Sequence, residues 1–286
     1  MNHQVRHRWV IYCAGLIALA LILSACGSTG TTGEETLLEK VQRTKSLVIG
    51  TGSYPPTTMV DSATGEWVGY DMDLLKAFAE KLGVDPFITY MPASALVPAL
   101  ESGRIDVWVD LSKTEERAKV LDFTDVWTCY ADIVVVNSEN PTIASATVAD
   151  LTGKTIAACR GCLEEGYIDA VPNAQKALYD TVEQTFLEVS AGRVDAAFQL
   201  AIYLEWGLKQ NPDWKVKNLG LVPAELIPGG QVASPSYFGV KKGTQSETFL
   251  TELNAFIKDW RDSGKMRESF AKYGLTDDSW FDPTCK

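Results

Sequence analysis

Apolar residues along this chain fall into two rhythms. Short runs bounded by glycine or polar residues read as buried strands, and longer stretches with apolar positions three and four apart read as helices packed on one face. Leu37 to Arg43 predicts a short helix, and Leu47-Val48-Ile49 a strand entering the turn Gly50-Thr51-Gly52. Leu74, Leu75, Phe78, Ala79 and Leu82 share one face of a helix that Asp73 is placed to cap. Phe87 to Tyr90 is the next strand. A helix then ends at Ser102, with Gly103 as its left-handed stop. Ile105 to Val109 follows as a buried strand, and Thr114 suits the cap of another helix, with Glu115 and Glu116 in its positive first turn. Farther on, Ile133 to Val136 and Thr155 to Cys159 predict strands, and Glu183 to Ser190 a helix. Leu250, Leu253, Phe256, Ile257 and Trp260 form the core stripe of one or two closing helices.

One unit occurs twice. Ser102-Gly103-Arg104-Ile105-Asp106-Val107-Trp108-Val109-Asp110 is echoed by Ala191-Gly192-Arg193-Val194-Asp195-Ala196-Ala197-Phe198-Gln199. Each is a helix end, a glycine and a strand. Each strand delivers a polar residue to its carboxyl end, where open α/β sheets bind small ligands. A length of 286 residues allows one large domain or two lobes.

Composition narrows the chemistry. The net charge is −11, and the leader contributes Arg6 and Arg8 but no acid, so the chain without it is more acidic still. That argues against nucleic acid as a partner. Both histidines, His3 and His7, lie in the leader. The remainder therefore has neither Ser-His nor Cys-His nucleophilic chemistry and no histidine metal site. No cofactor or metal is expected. Trp108, inside the buried strand, reads as a core residue. Asp71 and Asp73 read as turn and cap acids before they read as a metal pair.

The amino terminus has a polar start with two arginines, an apolar run from Val10 to Leu23 that is short for a membrane span, and Leu23-Ser24-Ala25-Cys26-Gly27. This order resembles a bacterial lipoprotein signal, with cleavage before Cys26 and lipid on its sulfur. Residues 1–25 are then the signal peptide and 26–36 a flexible Gly/Ser/Thr/Glu tether.

The segment L-x-S-G-x-I-D, then Ser112-x-Thr114-x-x-Arg117, then Asp122-Phe123-Thr124-Asp125-Val126-Trp127, together with Gly69-Tyr70-Asp71-Met72-Asp73, resembles family 3 of the bacterial extracellular solute-binding proteins, the amino-acid-binding branch that serves ABC importers. The resemblance runs from about Leu47 to Gly274. It implies an α/β fold of the type II periplasmic-binding-protein kind, with two lobes, strand hinges near 133–137 and 233–239, and a ligand cleft between the lobes. Lobe one would span 37–134 and 237–286, and lobe two 135–236.

The resemblance also assigns roles. Arg117 would hold the ligand carboxylate, with Ser112 and Thr114 beside it. The backbone N–H groups of Gly161 and Cys162 would approach it from lobe two. Tyr54 would stack on the ligand, and Trp127 would flank it or pack. Where the family often has an Asp for the α-amino group, this chain has Gln199, and Asp110 stands where a small residue is common. Asp110 is therefore read as an ammonium partner, a helix-entry bond or a contact between lobes. These departures, with Ala93, Thr57 and Cys162, leave the ligand open: an amino acid, a modified or opine-like relative, another small carboxylate, or a cation among aromatics.

The implied protein is an extracytoplasmic lipoprotein, anchored to the cell membrane and monomeric, that hands a small molecule to an ABC permease without catalysis. The rivals are an exported enzyme of the same fold, dehydratase-like, with Asp110 beside Arg117 as acid or base, and a ligand-sensing module. Beyond Cys26 four cysteines remain, Cys129, Cys159, Cys162 and Cys285. In an oxidising compartment they suit two disulfides with three possible connectivities.

Overall fold

Residues 34–139, 143–230, 233–281 and 285 are described by the structure, a computed structural model. The expected signal peptide, Cys26 and most of the tether lie outside them. The end of the tether belongs to the folded unit: Thr36 and Glu39 form a capping box at the start of the first helix.

The first lobe runs α1 (Leu37–Thr44), β1 (Ser46–Thr51), β2 (Met59–Val60), β3 (Trp67–Val68), α2 (Tyr70–Leu82), β4 (Asp85–Tyr90), α3 (Ala93–Glu101), β5 (Val107–Ser112), α4 (Arg117–Val120) and β6 (Leu121–Phe123). β7 (Thr128–Asn137) crosses to the second lobe. That lobe holds α5 (Val148–Leu151), β8 (Thr155–Cys159), α6 (Glu164–Asp169), β9 (Gln175–Tyr179), α7 (Val182–Ser190), β10 (Ala196–Leu200), α8 (Ala201–Gln210) and β11 (Val216–Leu221). β12 (Ala233–Lys241) returns, and α9 (Glu247–Asp262) and α10 (Lys265–Lys272) pack on the first lobe.

In lobe one, β4, β1 and β5 are parallel and β12 runs antiparallel beside β5. In lobe two, β9, β8 and β10 are parallel, with β7 antiparallel to β10 and β11 antiparallel to β7. The lobes meet through the two long strands. Thr128–Ala131 of β7 pairs with Ser236–Ala233 of β12, and from Asp132 onward β7 pairs with β10. The changeover thus falls at Ala131/Asp132, and lobe-one pairing has resumed by Ala233. The expected boundaries at 134/135 and 236/237 lie inside these strands.

β7 is apolar without alternation because both its faces are covered. Ile133 and Val135 join one core cluster, Val134 and Val136 the other. The lobe-one core is aromatic, with Tyr70, Phe78, Trp127, Phe238, Phe249 and Phe270 fully buried. α2 starts at Tyr70, earlier than its apolar face predicts, so Asp73 lies in the first turn rather than at the cap. Asp71 and Asp73 diverge. Asp71 accepts the Trp127 indole N–H at 2.6 Å, while Asp73 accepts from Ser269 and Lys272 at 2.7 and 2.8 Å. The disulfides are Cys129–Cys285 and Cys159–Cys162. The first ties the crossing strand to the chain end, closing a separation of 156 residues.

Candidate ligand site

The carboxyl end of β5 carries the lobe-one wall of the site. Between Trp108 and Leu111, β5 spends three residues where β12 spends two, and Asp110 sits in this bulge at φ 54°. A bulge re-aims a side chain, and aspartate is among the few residues that tolerate left-handed backbone. Trp108, Asp110 and Ser112 all reach the same interlobe cavity of about 40 Å³.

Asp110 accepts hydrogen bonds from Ser236 at 3.0 Å and from the Tyr203 hydroxyl at 2.6 Å. Tyr203 belongs to α8, so this second bond spans the lobes. Loss of solvent raises the Asp110 carboxyl above its ordinary range, and the Tyr203 hydroxyl works against that rise. Its partners are hydroxyls, and no ion pair among the described residues includes it.

Arg117 is the first residue of α4, and its N–H is capped by the Thr114 hydroxyl at 3.1 Å. Thr114 therefore orients Arg117 and does not line the cavity. The guanidinium lies over the Trp108 ring, 4.8 Å from its centroid. It donates to Ser112 O at 2.7 Å and, across the lobes, to Gly161 O at 2.8 Å. Loss of solvent lowers its pKa.

Lobe two supplies the loop after β8, α6, and the end of β10. Gly161 has φ 79°, and a Cβ there would fall 2.7 Å from the Ser94 backbone nitrogen of lobe one. Only glycine fits so close an approach. Its N–H donates to Glu165 at 2.7 Å, and the Cys162 N–H to Cys159 O at 3.2 Å. Both N–H groups, expected to approach a ligand carboxylate, are bonded inside the loop, and the Gly161 carbonyl accepts from Arg117. Cys162 lines the cavity as half of its disulfide.

Gln199 also lines the cavity, 1% exposed, and its amide donates to Thr185 at 3.2 Å. Tyr54 stacks on Tyr203 across the lobes, with ring centroids 6.1 Å apart. Trp127, expected as a cleft aromatic or a packing residue, is fully buried and packs on Phe238 and Phe270 in lobe one. The indole bond to Asp71 holds it there, so it is removed from the site. Trp108 belongs to the lobe-one core cluster, as expected, and its buried ring also forms cavity wall; its indole N–H has no partner.

Among the wall residues that the sequence did not mark as site residues are Trp108, Tyr203 and Glu164. Tyr203 sits in an apolar helical stretch with nothing to mark it. Glu164 and Glu165 are neighbours at a helix start and look alike; one faces the cavity and the other caps Gly161. Burial pushes the Glu164 carboxyl up to about 8, with nearby Asp132 adding to the rise.

The sequence model of the bacterial extracellular solute-binding proteins, family 3, matches residues 47–276. The ABC transporter arginine-binding protein 1 of Escherichia coli (strain K12) is 29% identical over 236 residues, covering 80% of this chain and 87% of that protein. The histidine-binding periplasmic protein of Salmonella typhimurium (strain LT2) is 29% identical over 266 residues, covering 90% and 96%. Among solved structures, the substrate-binding protein of an amino acid ABC transporter has a TM-score of 0.72 at 30% identity, with 80% of this chain and 99% of that one covered. An ancestral arginine-binding protein bound to arginine has a TM-score of 0.71 at 31% identity, covering 80% and 98%.

Proposed function

The chain belongs to the bacterial extracellular solute-binding proteins, family 3, and from that premise we propose that it captures an amino acid between its lobes and presents it to the permease of an ABC importer. The observation that carries this reading is the pairing of Arg117 and Asp110 in one interlobe cavity, opposite in charge and not bonded to each other. An amino acid carries the complementary pair. Its carboxylate would meet guanidinium N–H groups of Arg117, and its ammonium group the Asp110 carboxylate. The hydroxyls of Tyr203 and Ser236 orient that carboxylate without neutralising it. Ser112 completes the wall beside Arg117. Tyr54, Trp108 and Tyr203 offer aromatic surface, and Gln199 a neutral amide, to the rest of the ligand.

Closure brings the halves together, since Arg117 and Asp110 each bond to lobe two from lobe one. Hinge motion at the two long strands would part these bonds and admit the ligand. The protein would act as a monomer, held at the membrane through lipid on Cys26.

A thermal-shift panel of L-arginine, L-histidine, L-glutamine, agmatine (no carboxylate) and succinate (no amine) tests the reading. Ligand at about 100 times its Kd adds roughly 2.7 kcal/mol, so a shift of several degrees is expected with one or more amino acids and none with the other two. Shifts with succinate alone would contradict it. A dehydratase-like enzyme has one observation in its favour, the Glu164 carboxyl that keeps its proton near neutral pH beside the cavity. Recovery of the bound compound chemically unchanged counts against that rival.

A further inference from the structure

Glu164 lines the cavity with 5% of its surface exposed, and Asp132, fully buried and away from the cavity surface, borders the same helix, bonded to Tyr167 one turn on from Glu164. Asp132 is the first residue of β7 on the lobe-two side of the crossing. One of its oxygens accepts from the Tyr167 hydroxyl at 3.3 Å, and the Ser234 hydroxyl of the returning strand is also within reach. The other oxygen, Oδ1, has no donor. No ion pair among the described residues includes either acid. Two neighbouring buried carboxyls, without a cation between them, cannot both carry charge at ordinary cost.

We propose that Glu164 and Asp132 hold a single proton between them, and that this pair is a specificity-determining element, setting the charge the cleft shows to the far end of its ligand. The second half rests on the amino-acid reading; the first does not. The proton comes from bulk water and returns there, and only an O–H bond is made or broken. Facing Glu164 are Asp110 from β5 and Arg117 from α4, with Tyr54 and Tyr203 around the cavity and Tyr167 on its own helix. Arg117 favours release of the proton; Asp110 and Asp132 favour its retention. Burial, acting in the same direction as the two acids, outweighs Arg117 and raises Glu164 to about 8, while Asp132 is raised to about 6.

With the proton in place, the cavity offers one carboxylate, Asp110, against one guanidinium, which suits a zwitterion with an uncharged side chain. Once Glu164 ionises, a second negative charge appears in the wall, and a cationic side chain gains. The preference of the full chain for L-arginine over L-glutamine should therefore rise with pH. A roughly tenfold rise between about pH 6 and about pH 9 is expected for one partly buried charge interaction. Both probes lose α-ammonium charge alike over this range, so their ratio isolates the wall.

Two measurements test the proposal. Carboxyl carbon NMR of the ligand-free full chain, labelled at Asp and Glu, should show one glutamate titrating above neutral pH. That signal should be absent in Glu164→Gln and should move down by about one pH unit or more in Asp132→Asn, the loss expected on removing a neighbouring like charge. Titration calorimetry should show the pH-dependent preference in the wild type and a flat ratio in Glu164→Gln. A wild-type chain whose carboxyls all titrate in the ordinary range overturns the shared proton, whatever the variants do. A ratio that stays flat in the wild type overturns the specificity role. If neither amino acid binds, the ligand reading and with it the specificity role fall, and the NMR titration alone decides the shared proton.

Discussion

The two lobes present the same helix–glycine–strand unit to the cleft and use it differently. In lobe one the strand ends in Asp110, thrown out of register by a bulge, open to the cavity and bonded by hydroxyls alone. In lobe two the strand ends in Gln199, buried and tied down by Thr185. Regular β10 leaves Gln199 at the cavity wall with its amide held by Thr185, whereas the bulged β5 turns Asp110 across the cavity toward Tyr203. On the proposed function, the carboxylate and ammonium of the ligand would be read by lobe one, where Arg117 also sits. Lobe two contributes shape, carbonyls and the protonatable wall at Glu164. A shared motif fixes where a side chain lies along the sheet; the local backbone decides whether it is available.

Substitutions can break this asymmetry. The largest effect is expected for Arg117→Ala, with affinity for an amino-acid ligand reduced by at least ~30-fold by calorimetry, since removing one partner of a buried charge contact costs ~2–5 kcal/mol. Arg117→Lys should not restore it, because an ammonium cannot reproduce the planar fork that bridges Ser112 O and Gly161 O. Next comes Gly161→Ala. The added methyl meets lobe-one backbone at 2.7 Å, so small-angle scattering with saturating ligand should show lobes that fail to close fully. Tyr203→Phe removes the interlobe bond to Asp110 and should weaken binding roughly tenfold, as for a hydrogen bond to a charged group. Trp127→Phe should leave affinity unchanged while lowering the melting temperature, because Asp71 loses its indole donor inside the lobe-one core.

The acids behind the cleft predict a pH effect on stability. Asp132 and Glu164 are both raised in the folded chain, to about 6 and about 8 from ordinary values of 3.8 and 4.5. Groups raised by folding give stability that is full below their unfolded values and is lost as pH climbs through their folded ones. The melting temperature should therefore fall between roughly pH 4 and pH 8 by an amount that Glu164→Gln reduces.

The alternation of strands and helices, the glycine stops and the Thr114 cap follow from local physics, and these residues could be placed from the sequence. So could Tyr54, Asp110 and Arg117, which lie at strand ends or helix starts where the chain turns toward the cleft. What stayed hidden depends on register and partners. Trp108 is core, as its strand position implies, but the bulge that follows it in β5 also makes it cavity wall, a feature visible only against β12. Trp127 left the site because Asp71, distant in sequence, claims its indole. The Gly161 and Cys162 N–H groups were already satisfied by Glu165 and Cys159, and adjacent identical acids gave no sign of which would turn inward.

On the proposed function, Arg117 and Asp110 read the two charges of one amino acid. The most direct test is calorimetry of L-arginine and its des-amino analogue against the wild type and Asp110→Asn. The wild type should prefer the amino acid strongly, and Asp110→Asn should lose most of this preference while still binding the analogue about as well as the wild type does. An undiminished preference in Asp110→Asn would contradict this reading and place the ammonium group elsewhere in the cleft.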